Sequence, residues 1–186
     1  TYQLAVVEDA AQAHGAMIHD KHVGTFGSLA VFSLYPTKNM TSAEGGMVAA
    51  NDPSVLHKIR LLRNQGMIEP YKNVVVGYNN RMSELHAAIG RTQLTRVDRW
   101  NNLRRRNAMF LVKRLEHVVV PAERPDYRHV YHQFTVRIPE GRDRFARALR
   151  EEFKIDAGVY YSTPLHRLES LAAYSRGQEF PHAVVA

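Results

Sequence analysis

The chain has 186 residues, 45% of them hydrophobic, with no cysteine and a formal net charge of +7. That supplies apolar material for a packed core and excludes wholesale disorder, a disulfide framework and thiolate chemistry. No apolar run reaches the ~20 residues that cross a bilayer, and the opening TYQLAVVEDA has no charged n-region, so the expected location is the cytoplasm, with no membrane partner. The excess positive charge invites a nucleic-acid reading. The tight basic run Arg104-Arg105-Arg106 lies inside a helical pattern, with no aromatic residues interleaved in the manner of a nucleic-acid binder. It reads as a solvated helix face, and the charge excess as a means of attracting an anionic substrate.

Leu4 to Val7 is a short β-branched run that predicts a strand buried on both faces, hence parallel. It leads into Glu8-Asp9, at the end of a strand where open α/β sheets place ligand chemistry. Ala16 to Ile18 and Leu29 to Leu34 predict further strands, with turns at Gly24 and Gly27. Pro36 ends the second of these, so Thr37-Lys38-Asn39 is loop. Met47 to Ala50 predicts another strand, and Asn51-Asp52-Pro53 the start of a helix with Val55, Ile59, Leu61 and Leu62 on its apolar face. Ser83 is placed to cap a helix through Leu85, Ala88, Ile89 and Leu94, and a long helical pattern runs from Val97 to Leu115. Beyond Pro121, Val130 to Ile138 alternates like an antiparallel strand, Gly141 to Phe153 is helical and Ala157 to Tyr161 strand-like. The fold class is therefore α/β, with a domain boundary expected near residue 118. Both ends look cut, so a piece of a longer chain is expected.

Asp9, Gln12, Ser33 and Lys38 carry residue types that a pyridoxal 5′-phosphate (PLP) site needs. These are an amine to hold the cofactor, a carboxylate for the pyridine nitrogen and hydroxyl donors for the phosphate. Each also has a structural reading: Lys38 as an ordinary loop lysine, Asp9 as a turn cap, Gln12 and Ser33 as partners for backbone groups. Metal binding is not expected. His129 and His132, three apart in a strand pattern, point to opposite faces, and neither cysteine nor HExxH is present. Phosphate-loop, dinucleotide and hydrolase-elbow motifs are also missing.

The stretches VVEDAAQAHGA, GTFGSLAVFSLYPTKNMTSAEGGMVAAND and GYNNRMSELHAAIGRTQL, in that order, resemble the DegT/DnrJ/EryC1/StrS family of PLP-dependent sugar aminotransferases. The resemblance implies part of a fold type I large domain, a mostly parallel sheet with flanking helices, over residues 1–118. It implies part of a small α+β C-terminal domain over residues 119–186. It further implies that Lys38 is the Schiff-base lysine, Asp9 the partner of the pyridinium nitrogen, Gln12 a neighbour of the ring hydroxyl and Ser33 a phosphate ligand. Asn79 would reach the phosphate from the other subunit of a homodimer, Arg81 would line the same site, and His166 in STPLH would face the sugar. Each of these three also has a structural reading, as a helix-entry residue, a surface ion-pair partner and a packing histidine. Departures from the family pattern are Asn80 in place of a common aromatic, and Ala43 and Asp20 in place of frequent glycines.

The activity implied is transfer of an amino group from glutamate or glutamine to a nucleotide-linked keto sugar. A sugar dehydratase of the same family is the alternative within that chemistry, although such members carry histidine where Lys38 stands. A non-catalytic dimerising fragment is the alternative outside it.

Overall fold

A computed structural model describes Tyr2 and residues 4–185. The chain divides into two compact units, one running up to Arg137 and the other from Ile138 onward.

The first unit opens with strand β1 (Val7–Asp9), the short strands β2 (Met17–Ile18) and β3 (Lys21–His22), and strands β4 (Leu29–Ser33) and β5 (Gly46–Ala50). Helix α1 (Pro53–Arg63), the hairpin β6 (Met67–Glu69) and β7 (Lys72–Asn73), helices α2 (Glu84–Leu94) and α3 (Val97–Val112), and strand β8 (Tyr127–Arg128) follow. The second unit holds α4 (Arg142–Glu151), two turns of 3₁₀ helix at Leu165–Arg167 and Glu169–Leu171, and the short helices α5 (Ala172–Ser175) and α6 (Pro181–Val185).

The main sheet has the order β1-β4-β5. β1 and β4 are parallel, as expected, whereas β5 returns antiparallel to β4. The first strand differs from its expected form. It begins at Val7, and Leu4, Val6 and Val7 are 78%, 54% and 60% exposed rather than buried. An apolar run is buried on both faces only when neighbouring elements cover both, and those are not present around β1. What is buried lies one layer away. Leu34, Met40 and Val97 form a small cluster with Met82 packed against it, so the lysine loop, α3 and the segment before α2 share one core.

The helix starts follow their local chemistry. Asp52 accepts from the Ser54 N–H at 2.7 Å, with Pro53 opening α1. Ser83 accepts from the His86 N–H at 3.3 Å at the head of α2. The hairpin after α1 depends on Gly66, whose φ is +73° and whose added Cβ would lie 1.8 Å from the Val75 carbonyl oxygen.

Two expected strands do not form. Of Val130 to Ile138, only Arg137 pairs, exchanging hydrogen bonds of 3.0 and 2.9 Å with Val119. Ala157 to Tyr161 has no strand partner among the described residues. Alternation favours an extended chain but does not supply a neighbour, and a strand exists only when paired. The contact division falls at Arg137, later than the expected boundary near residue 118. The 119–137 stretch is tied back into the first unit through β8, which pairs with β2, and through the Val119–Arg137 bridge.

The basic run on α3 is not a solvated face. The Arg104 guanidinium donates to the carbonyls of Tyr131 and His132, each at 3.2 Å, and Arg105 pairs with Glu123 and donates to the His129 carbonyl at 2.7 Å. Returning backbone with unpaired carbonyls needs donors, and guanidinium supplies several in a fixed fork. Arg106 alone of the three is exposed.

Candidate active site

The parallel pairing of β1 with β4 sets Asp9 opposite Val31, and the Ala10 N–H donates to the Val31 carbonyl at 2.9 Å. Asp9 ends β1 and Ser33 ends β4. Both side chains thus emerge at the C-terminal edge of one sheet, the edge at which open α/β sheets bind ligands.

Asp9 is exposed, and its Oδ1 accepts from the Ala11 N–H at 3.1 Å. The turn-capping role is therefore real, and it leaves the second carboxylate oxygen for another partner. Gln12 stands exposed on the turn that follows β1. Ser33 is half-buried, with Oγ 3.4 Å from the Tyr35 N–H. Lys38 is half-buried in the next loop, and its N–H donates to the Tyr35 carbonyl at 3.0 Å.

The lysine loop is held from three directions. Leu34 receives Ser42 N–H and Thr41 Oγ1 on its carbonyl at 3.0 and 2.9 Å. The Thr41 N–H donates to Gln93 Oε1 of α2 at 3.3 Å. Asn39, next to Lys38 and only 3% exposed, donates from Nδ2 to Asn101 Oδ1 at 2.7 Å and to the Val130 carbonyl at 3.0 Å. Asn101, fully buried on α3, donates in turn to the His14 carbonyl at 2.7 Å, and His132 Nδ1 lies 3.2 Å from Asn39 Oδ1.

Two histidines belong to this neighbourhood. Burial is the largest influence lowering the pKa of His14, followed by charge at His132 and Lys38, with the Ser33 backbone opposing. For His132 burial again comes first, then Lys38 and Arg104. Burial and nearby positive charge thus disfavour the protonated form of both imidazoles. Neither ring nitrogen of buried His14 has a hydrogen-bond partner. Asn39, Asn101, His14 and His132 were not singled out from the sequence as site residues. The one signal available was that Asn39 directly follows Lys38; the others come from positions far apart in the chain.

Asn79 and Arg81 meet each other, with Arg81 Nε donating to Asn79 Oδ1 at 3.0 Å. The main chain of their segment is bridged to Asn64 at the end of α1. Arg81 lines a cleft of about 440 Å³ with His57, Arg60, Arg63 and Met67, a cleft that does not include Asp9, Ser33 or Lys38. Among the described residues, no hydrogen bond or ion pair joins the Asn79 or Arg81 side chain to those three residues. His166 lies in the second unit, its ring 5.0 Å from that of Phe180 and its Nε2 buried without a partner.

A model of the DegT/DnrJ/EryC1/StrS aminotransferase family matches residues 1–185. The chain belongs to this family. Among its relatives is a pleiotropic regulatory protein of Geobacillus stearothermophilus, 40% identical over 94% of this chain and 49% of that protein. Another is a UDP-N-acetyl-3-dehydro-alpha-D-glucosamine 3-aminotransferase of Acidithiobacillus ferrooxidans, 39% identical over 91% of this chain and 46% of that protein. The crystal structure of DesV from S. venezuelae, in complex with a ketimine intermediate, superposes with a TM-score of 0.87 at 35% identity, covering 97% of this chain and 49% of that one. The chain thus spans about half the length of the relatives it matches. The donor set at the sheet edge, an amine, a carboxylate and a hydroxyl, fits the chemistry of PLP.

At two of the positions where glycine was expected, the backbone is left-handed. Asp20 and Ala43 both adopt positive φ, +58° and +69°, the conformation in which glycine is unstrained.

Proposed function

We propose that the whole protein is a PLP-dependent aminotransferase that moves an amino group from glutamate or glutamine to a nucleotide-linked keto sugar. The observation that carries this reading is the parallel β1–β4 pairing, which delivers Asp9 and Ser33 to one sheet edge with Lys38 on the loop beyond. When bound, PLP supplies an electron sink for making and breaking bonds at the amine-bearing carbon.

The residues divide the work. Lys38 Nζ tethers the cofactor and, when released, carries the proton moved at the reacting carbon. The free oxygen of Asp9 holds a proton on the pyridine nitrogen, and Gln12 orients the ring through its hydroxyl. Ser33 Oγ binds the phosphate, joined by Asn79 from the second subunit of a homodimer. Arg81 and His166 orient the substrate. Lysine at position 38, rather than histidine, favours amine transfer over dehydration. The lack of cysteine suits a reducing cytoplasm.

The test is the absorption spectrum of the full-length protein with PLP, followed by borohydride reduction and peptide mass mapping. A protein-bound cofactor band is expected, with the reduced adduct on Lys38, and Lys38→Ala abolishes both. An adduct on another lysine, or an equal band in Lys38→Ala, would sink the assignment.

A further inference from the structure

We propose that Asn39 and His132 are positioning residues for Lys38, forming a hydrogen-bonded clamp that fixes the loop from which the lysine projects. The inference rests on the proposed role of Lys38 and asks what aims it.

The hydrogen bonds define the clamp without ambiguity. Asn39 Nδ2 has two acceptors, Asn101 Oδ1 and the Val130 carbonyl, at 2.7 and 3.0 Å. Both its hydrogens are used, so the orientation of the amide is set and Oδ1 must accept. The group it faces is His132 Nδ1 at 3.2 Å, which therefore carries the proton in the neutral ring. Asn101 is oriented by its own donation to the His14 carbonyl at 2.7 Å. Every side-chain polar atom of Asn39 and Asn101 thus has a partner, and the partners come from α3, from the turn after β1 and from the 130–132 stretch.

A satisfied core amide would look the same up to this point. Its place makes the difference: Asn39 directly follows Lys38, and its bonds tie the lysine loop to α3 and to the 130–132 stretch. The groups facing His132 are Lys38 on the loop, Arg104 on α3, whose guanidinium also grips the His132 carbonyl at 3.2 Å, and His14 after β1. Among the described residues, no carboxylate is one of them. Burial first, then the Lys38 ammonium and Arg104, keep the ring neutral. A neutral ring is what the clamp requires of Nδ1 alone, and a second ring proton would add a charge beside two cations. Coupling of this kind is reciprocal: neutralising Lys38 makes His132 easier to protonate.

Two measurements on the full-length protein test this. The first follows the His132 imidazole by NMR through a pH titration of cofactor-free protein, in the native sequence and in Lys38→Met. The midpoint is expected to rise in Lys38→Met, because a repelling charge is gone. An unchanged midpoint overturns the coupling. This reading needs no aminotransferase activity, so it separates failure of the clamp from failure of the proposed function. The second compares kinetics. Asn39→Ala and His132→Ala are expected to lower kcat about 10- to 100-fold with the KM for the amino donor little changed. His132→Asn, whose amide N–H stands where Nδ1 stood, is expected to recover most of the loss. Native kcat in both alanine variants, or no rescue by His132→Asn, overturns the positioning role. If the alanine variants do not fold, the NMR comparison decides.

Discussion

Glu8 is the residue beside the proposed PLP partner Asp9, and its carboxylate collects three backbone donors. The N–H groups of Gly24, Phe26 and Gly27 reach it at 2.7, 2.6 and 2.6 Å, fastening the 24–27 turn to β1. Burial pushes its pKa up, and the three N–H groups and Lys21 together outweigh this, so the carboxyl titrates below the usual glutamate range. A depressed folded-state pKa contributes stability that is present above the unfolded pKa and lost as pH falls through the folded one. Thermal unfolding followed from about pH 6 to pH 3 should therefore show a loss in the native protein that is smaller in Glu8→Gln. Equal pH dependence in the two would remove the role assigned to this turn. Ala43 offers a second case. It holds a φ of +69°, which costs an L-residue roughly 1 kcal/mol. Ala43→Gly should accordingly raise stability by up to about 1 kcal/mol, read as a higher denaturant midpoint. Strain of this kind was visible in the sequence only as the absence of an expected glycine.

Among the elements, the helices were the most legible because their signals are local. Asp52-Pro53 and Ser83 announced α1 and α2, and the structure puts both caps in use. Ser83→Ala removes one capping bond and should cost about 1 kcal/mol. The loss has a consequence at the site, since Gln93 of α2 accepts from Thr41 on the lysine loop. Calorimetry of the variant should show the lower melting temperature, and PLP affinity should weaken with it. Strands were legible only where partner and pattern lay in the same stretch of chain, as with β4 and β5. The alternation of Val130 to Ile138 was real, but the carbonyls of Val130, Tyr131 and His132 are taken by Asn39 and Arg104 instead of a ladder. The side-chain clamp on Asn39 was illegible for the same reason: it joins positions 62 and 91 residues apart. No local rule links residues at such distances.

At the scale of the molecule, the exposed apolar side chains along the edges of the main sheet are the feature that composition did not foretell. Leu4, Val6, Val7, Met47 and Val48 are all exposed, and Leu4 reaches 78%. Consecutive residues of extended chain point to opposite faces, so Val6 and Val7, like Met47 and Val48, leave apolar side chains exposed on both sides of the sheet, and such surface is normally covered. Because this chain spans about half the length of its relatives, residues of the whole protein outside these 186 are the natural cover. Expressed alone, the 186-residue chain should bind a hydrophobic dye and self-associate, and the full-length protein should do neither. A charge placed there separates this account from a merely sticky surface. In the isolated chain, Val6→Lys should reduce self-association, because it interrupts an exposed patch. In the full-length protein the same change should destabilise by about 2 kcal/mol, because it buries an unpaired ammonium or forfeits the burial of a valine. Opposite effects of one substitution in the two contexts are what a covered face demands. A Val6→Lys full-length protein as stable as the native one would show instead that this surface remains open to water.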